Sequence, residues 1–296
     1  MKIYTLPEMT DLEQSILRQN NQKLDLCLWK EFPDGEIFLS LKSLEKEAVI
    51  LGRTSPPGEN FFRTLLLVDT LRRAGAKKIN LILPYFGYSR QDRKIFFGDA
   101  LTSVCLRDSL ARAGVTRIVT LDLHSQKIIE KSPVKIINLT MAEEFARAVK
   151  EQIGDEKLTV ISPDYGGKHQ AERLARYLRG GAVAWINKKR DPKTGKVTGT
   201  YIEGKKLGET VVIVDDILST GKTIKLAYKI LKRNGFKKFY LCITHPVFAP
   251  GGAALIRRLG FKRIFITDTL PVAGNVKEIR GLKILSAAKI LAKVTE

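Results

Sequence analysis

ETVVIVDDILSTGKTIKLAYKILKRN, residues 209–234, reads as a strand, a turn and a helix in immediate succession. Thr210 to Val214 is a short run of mostly β-branched residues, the composition of a buried parallel strand. Asp215 and Asp216 follow at the strand's end, then the small-residue turn Ser219-Thr220-Gly221, then a helix expected from about Thr223. Ile224, Ala227, Ile230 and Leu231 recur at helical spacing, and Asn234-Gly235 supplies a C-cap. Such a junction gathers unpaired N–H groups about one point, which favours a phosphate. The neighbouring carboxylates suit sugar hydroxyls or a magnesium ion, so a phosphorylated sugar satisfies both halves. Gly221-Lys222-Thr223 does not make a nucleotide P-loop, because the first glycine of that motif falls where Asp216 stands. An ordinary strand-to-helix connection carrying an acidic pair by chance is the plain alternative.

The whole chain sets the bounds. Its 296 residues allow one large domain or two medium ones, either with a sizeable core. Hydrophobic content of 44% and charged content of 28% are those of a globular protein. No apolar run has the length of a membrane span, and MKIYTLPEM lacks the apolar segment of a signal peptide, so a cytoplasmic protein is expected. Cys27, Cys105 and Cys242 are odd in number and far apart, and read as small core residues in a reducing compartment. A net charge of +20 would suit nucleic acid, but the cations are spread along the chain without a basic tail or aromatic interleaving. Attraction for small polyanions such as nucleotides and sugar phosphates accounts for it equally well.

Strand-like and helix-like segments alternate throughout. Strands are expected at 48–52, 79–83, 117–121, 158–161, 211–214, 239–244 and 263–267, with helices at 65–75, 101–114, 170–180 and 224–235. This pattern predicts βαβ units, parallel sheets and an α/β fold. Residues 73–79, 112–118 and 233–239 each close a helix and open a strand in similar letters, so one unit recurs. A boundary is expected near Leu139 to Met141, giving domains 1–140 and 141–296, with a last helix from Ile284 that either half could hold.

Five further stretches carry chemistry. KEFPDGEIFLSL (30–41) is a Pro-Asp-Gly corner between two half-buried runs. In LPYFGYSRQDRKIFFG (83–98), Arg90, Arg93 and Lys94 lie together just past a strand's C-terminal end, where α/β sheets meet their ligands. TLDLHSQ (120–126) and ISPDYGGK (161–168) end two more strands with His124 and Asp164, and Gly166-Gly167 permits a close backbone approach. In INKKRDPKTGKVTGT (186–200), Lys188 and Arg190 share one strand face ahead of a turn, so a basic hairpin is expected. Each has a bland reading too: a hairpin corner, solvated basic loops, a core His–Asp pair.

Taken in order, these stretches resemble the ribose-phosphate diphosphokinases, or phosphoribosyl-pyrophosphate synthetases, from about Lys2 to the C-terminal helix. VVIVDDILSTGKT (211–223) looks like the phosphoribosyl-diphosphate loop that this family shares with type I phosphoribosyltransferases. Phe32, Asp34, Gly35 and Glu36 match its Phe-x-Asp-Gly-Glu motif; Arg90-Gln91-Asp92, Asp-Leu-His-Ser and Ser-Pro-Asp-x-Gly-Gly match others. The resemblance implies two type I phosphoribosyltransferase-like domains, each a mainly parallel sheet flanked by helices. It implies transfer of the β,γ-diphosphate of ATP to the 1-hydroxyl of ribose 5-phosphate, with Mg2+ and a homo-oligomer but neither nucleic acid nor membrane. By the same resemblance, Phe32, Asp34 and Glu36 would reach the adenine of a neighbouring subunit's ATP. Arg90, Gln91 and Asp92 would hold ATP, and His124 its metal; Asp164 would lie against ribose and a cation. Asp215, Asp216, Ser219, Thr220, Gly221, Lys222 and Thr223 would take ribose 5-phosphate, and Lys188 and Arg190 would act on the moving diphosphate. Departures exist: Gly52 stands where the family usually has Gln, Thr64 near a usual Glu, and Ile128-Ile129 for paired Phe. A non-catalytic regulatory relative or a phosphoribosyltransferase are the alternatives; the latter would need only the 215–223 loop.

Overall fold

A computed structural model describes residues 2–21, 27–190 and 197–295. The chain forms two compact units, Met1–Leu139 with Ser286–Glu296, and Thr140–Leu285.

The first unit opens with β1 (Lys2–Thr5), α1 (Asp11–Gln19), and a hairpin of β2 (Cys27–Glu31) and β3 (Ile37–Leu41). There follow β4 (Glu47–Leu51), α2 (Glu59–Ala74), β5 (Lys78–Leu83), α3 (Thr102–Ala113), β6 (Arg117–Leu121), α4 (Lys127–Glu130) and β7 (Lys135–Leu139). Its sheet has the order β1-β4-β5-β6-β7, and every pairing is parallel. Ile50, Leu81 and Ile118 from the strands meet Leu67, Val68 and Leu71 of α2 and Leu110 of α3. Burying each such side chain contributes about 1.5–3 kcal/mol. Helix α2 begins six residues before the expected Leu65. Its start sets the polar Glu59 and Asn60 ahead of Phe61 and a largely exposed Phe62, with Glu59 paired to Arg63 and the Thr64 hydroxyl donating to the Asn60 carbonyl, so no clear apolar stripe marks it.

The second unit runs α5 (Ala142–Ile153), β8 (Leu158–Ser162), α6 (Lys168–Leu178), β9 (Ala182–Arg190), β10 (Val197–Gly204), β11 (Thr210–Ile217) and α7 (Lys222–Arg233). It continues with β12 (Lys238–His245), α8 (Gly252–Arg257), β13 (Arg263–Thr267), α9 (Gly274–Lys277) and β14 (Leu282–Leu285). The sheet order is β10-β9-β8-β11-β12-β13-β14, parallel except for the β9–β10 hairpin. The chain leaves β8 toward β9 but leaves β11 toward β12, in opposite directions across the sheet. The C-terminal ends of β8 and β11 therefore flank a switch point, the crevice in which open α/β sheets hold ligands. Val211 and Ile213 of β11 pack under Ile224, Ala227 and Leu231 of α7.

Three expectations need correction. Asp215 and Asp216 lie within β11, not beyond it: Asp215 pairs with Ile243 and Ile217 with His245, so a long neighbouring strand holds the acids in the ladder. The segment from Ile284 is not one helix. Residues 282–285 add β14 beside β13, and only α10 (Ala288–Ala292) is helical. That helix belongs with the first unit, where Asn20 donates to the Thr295 hydroxyl and Arg117 to the Val294 carbonyl (3.3 Å). Among the cysteines, Cys242 is buried but Cys105 is exposed.

Candidate active site

In the second unit, β11 ends against a turn that only glycine makes well. Gly221, the N-cap of α7, has φ +74, and a Cβ there would come within 3.2 Å of Leu255 and Ile256 on α8. The preceding residues are held from both sides: the Leu218 amide donates to the His245 carbonyl (3.0 Å), and the Phe248 amide to the Leu218 carbonyl (2.9 Å). Close packing continues at Gly252, where a Cβ would sit 2.4 Å from the Ser219 carbonyl oxygen. His245 is itself buried, its Nδ1 3.0 Å from the Thr269 hydroxyl. Ser219 is half-buried; Thr220, Lys222 and Thr223 are exposed. The first N–H groups of α7 thus open from a fixed turn, with no side chain capping them.

The carboxylates beside this turn are crowded. Asp216 is buried, and its amide donates to Asp215 Oδ1 at 3.0 Å. Burial first, then the charges of Asp216 and Asp164, push the Asp215 carboxyl well above the usual range, although the residue keeps some exposed surface. Asp164, after β8 on the other side of the switch point, is exposed; its Oδ1 accepts from the Gly167 amide (3.1 Å). A Cβ at Gly167 would meet the Ser162 hydroxyl at 2.3 Å, so this turn is also tight. Lys168 places its ammonium 4.2 Å above the Trp185 ring, with Tyr165 edge-on to the same ring. The structure brings Asp164, Asp215 and Asp216 within electrostatic reach of one another beside the 219–223 turn, and adds Tyr165 and Trp185, which carry no signal in sequence. No group of three or more His, Cys, Asp or Glu with metal-site geometry exists among the described residues. Paired hard carboxylates fit an ion that takes one or two protein oxygens and completes its shell with water and phosphate.

Lys188 and Arg190 lie on β9, where Lys188 pairs with Thr200 and Arg190 with Val197 of β10. Their side chains, and the expected turn at 191–196, lie outside the described residues.

In the first unit, loops leave the C-terminal ends of the adjacent strands β5 and β6. The β5 loop is anchored before it becomes cationic. Phe86 and Ser89 are buried, and the Gly87 amide donates to the Thr54 hydroxyl at 2.8 Å. Arg90, Gln91, Arg93 and Lys94 are exposed and Asp92 partly so. Gln91 is clamped to the start of α3: its carbonyl accepts from the Ser103 hydroxyl (2.9 Å), and its side chain accepts from Thr102. Beyond it, the amides of Phe96 (2.8 Å) and Ile95 (2.9 Å) donate to Asp99, in that order holding its carboxyl below the usual range. The β6 loop is pinned to β7 by the Asp122 amide on the Leu139 carbonyl and the Leu123 amide on Asn138, each at 2.9 Å. Asp122 has φ +34, a strained turn that leaves His124 exposed. The holding residues Thr54, Thr102, Ser103 and Asn138 were not singled out from sequence; only Ser/Thr at a helix start gave any signal.

The Phe32–Glu36 corner caps the β2–β3 hairpin: the Phe32 amide donates to the Glu36 carbonyl and the Gly35 amide back to Phe32, both at 2.8 Å. Cys27, Trp29, Leu39 and Leu41 seat the hairpin on the core, leaving Phe32 39% exposed with Lys30 4.9 Å over its ring.

Acidic and phosphate-receptive turns at the switch point of one parallel sheet, and cationic loops at strand ends of another, define an α/β enzyme of phosphorylated substrates. Comparison with known proteins narrows this. Residues 1–114 match the profile of the N-terminal domain of ribose phosphate pyrophosphokinase, and residues 134–266 that of the phosphoribosyl transferase domain. A ribose-phosphate pyrophosphokinase of Thermosipho africanus is 35% identical over 274 residues, covering 91% of this chain and 86% of that protein. One from Bacillus subtilis is 33% identical over 296 residues, covering 99% and 92%. The crystal structure of phosphoribosylpyrophosphate synthetase from Mycobacterium smegmatis superposes with a TM-score of 0.88 at 26% identity, covering 99% of this chain and 96% of that one. The chain belongs to the ribose-phosphate pyrophosphokinase family and is an enzyme of that family. The family's reaction gives 5-phosphoribosyl 1-diphosphate and AMP from ribose 5-phosphate and ATP.

Proposed function

We propose that this chain divides that reaction between its units, ribose 5-phosphate on the second (Thr140–Leu285) and ATP on the first (Met1–Leu139 with Ser286–Glu296). The observation that carries the first assignment is the coincidence, at one switch point, of an uncapped helix start and crowded carboxylates. The 5-phosphate takes the N–H groups and hydroxyls of Ser219 to Thr223, with Lys222 adding charge. Asp215, Asp216 and Asp164 take the ribose hydroxyls and a cation. Charge relief supports this: an ionised Asp215 beside two other acids is costly until a cation or hydroxyl donors arrive.

ATP lies on Arg90, Gln91 and Asp92, with His124 beside its phosphates. Clamping of Gln91 by Thr102 and Ser103 supports a loop prepared before binding. His124 would hold a magnesium ion on the ATP phosphates and Asp164 a cation at the ribose, each neutralising charge on its own substrate. Lys188 and Arg190, alternate residues of β9, stabilise the diphosphate in transfer. Phe32, Asp34 and Glu36 stand on a hairpin tip and reach the adenine of a second subunit, which makes the working protein a homo-oligomer.

Separate Michaelis constants test the division. Asp216→Asn should raise KM for ribose 5-phosphate by about tenfold or more, roughly 1.4 kcal/mol, and leave that for ATP nearly unchanged. Arg90→Ala should do the reverse. If both variants moved the same constant, the assignment would be wrong.

A further inference from the structure

The N-terminal ends of β12, β13 and β14 in the second sheet carry a cavity lined by none of the site residues described above. Tyr240, Arg263 and Gly281 stand at or beside the N-terminal ends of β12, β13 and β14, whereas Asp215 lies near the C-terminal end of β11. Tyr240 precedes Ile243, the ladder partner of Asp215, by three residues, about 10 Å of strand. The cavity between them and the end of α8 measures about 620 Å3, within the range of small-molecule pockets.

Its lining is one-signed. Arg257, Lys262, Arg263 and Arg280 contribute cations, and among the described residues no carboxylate lines it. Strand pairing forces two of these segments together: the Ile264 amide donates to the Gly281 carbonyl at 3.0 Å, which sets Lys262-Arg263 beside Arg280. Gly281, at φ +79, permits the contact, since a Cβ would touch the Lys262 carbonyl at 3.0 Å. Arg257 is engaged by the Asn275 carbonyl (2.9 Å) and Glu278 (3.3 Å). Arg263 gives its Nε to Gln152 at 2.8 Å, and its other guanidinium donors remain for a ligand. Among the described residues, Lys262 and Arg280 have no ion-pair partner. The other wall is apolar, with buried Ile256, Ile264 and Ile279.

We propose that this cavity is a second small-molecule site, for a phosphorylated ligand that also carries an aromatic or apolar part, a nucleoside monophosphate being of suitable size. Arg263, Arg280 and Lys262 take the phosphate, and the isoleucine wall takes the base. Gathered cations repel one another, and an anion relieves that repulsion while accepting charge-assisted hydrogen bonds. The site stands whether or not the substrate assignments above hold.

The test is calorimetric titration of the full chain with GMP and, separately, with inorganic phosphate. GMP should bind at least about tenfold more tightly than phosphate, because phosphate leaves the apolar wall unfilled. Arg263→Ala/Arg280→Ala should weaken GMP binding by about tenfold or more, whereas Gln91→Ala and Asp216→Asn should not alter it. Arg280→Glu, a single change at an exposed side chain, should weaken it also and leave turnover without GMP unchanged. Failure of GMP to bind at millimolar concentration would overturn the proposal. So would GMP binding that survives the arginine substitutions or disappears with the active-site ones. Equal affinity for GMP and phosphate would overturn the apolar half of the site.

Discussion

Gly252→Ala tests the sugar-phosphate turn without touching any group proposed to bind substrate. Its added methyl would stand 2.4 Å from the Ser219 carbonyl oxygen. A carbon–oxygen contact relaxes only at about 3.3 Å, so α8 or the turn must give by roughly 0.9 Å. Helix α8 cannot absorb the whole shift, because Ile256 is fully buried against Ile224 and its neighbours. The turn is held by single hydrogen bonds at Leu218 and yields more easily. Overpacking of this kind costs about 1–3 kcal/mol of stability. Moving a substrate cradle by about 1 Å costs on the order of a hundredfold in rate. Gly252→Ala should therefore lower kcat/KM for ribose 5-phosphate by about that factor, with a much smaller change in KM for ATP. Initial rates at varied ribose 5-phosphate and saturating Mg-ATP read this directly. A folded variant with unchanged kcat/KM for ribose 5-phosphate would refute the claim that Ser219 to Thr223 form the cradle.

Asp215→Asn should separate stability from activity. An acid whose folded pKa is raised contributes stability below its unfolded pKa, and loses that contribution as pH rises through the folded value. Without metal or substrate, the variant should therefore melt above the parent near neutral pH, with the gap closing toward about pH 4, while turnover falls; a variant less stable at both pH values would oppose this. Lys188→Ala should cut kcat by about a hundred- to a thousandfold with little change in KM, and a nearly normal kcat would make the hairpin a surface feature only. Phe32→Ala should raise KM for ATP several-fold, since a stacked aromatic contributes about a kcal/mol beyond its area. At ATP well below that raised KM, mixing it with His124→Ala should give more activity than the two variants separately, through hybrid sites; no gain after verified subunit exchange would count against a shared adenine pocket.

Much of the architecture was legible because parallel strands buried on both faces read as apolar runs: 117–121 and 263–267 are strands over the expected residues. Strands that lack such runs were missed. Lys2–Thr5 and Lys135–Leu139 lie at the two ends of their sheet order and are only partly apolar, and Ile284-Leu285, the end of β14, read as the start of a helix. Asp215 and Asp216 were placed past their strand because two acids normally end one, and only the length of β12 shows why they remain in it. Of the candidate site, the residues that would touch substrate stood out as charged or small groups at strand ends. Those that hold them, such as Thr54, Ser103, Asn138 and His245, are ordinary in sequence and acquire their roles through contacts 12 to 33 residues distant. The basic cavity was invisible for the same reason: β13–β14 pairing brings its arginines together.

The most direct test follows the phosphorus. With ATP labelled in the γ-phosphate, ribose 5-phosphate and magnesium, label should appear in a sugar 1-diphosphate as AMP forms in equal amount. Omission of ribose 5-phosphate or of magnesium should abolish both products. Label released as orthophosphate with ADP, or consumption of phosphoribosyl diphosphate with a nucleobase and no turnover of ATP, would contradict the account.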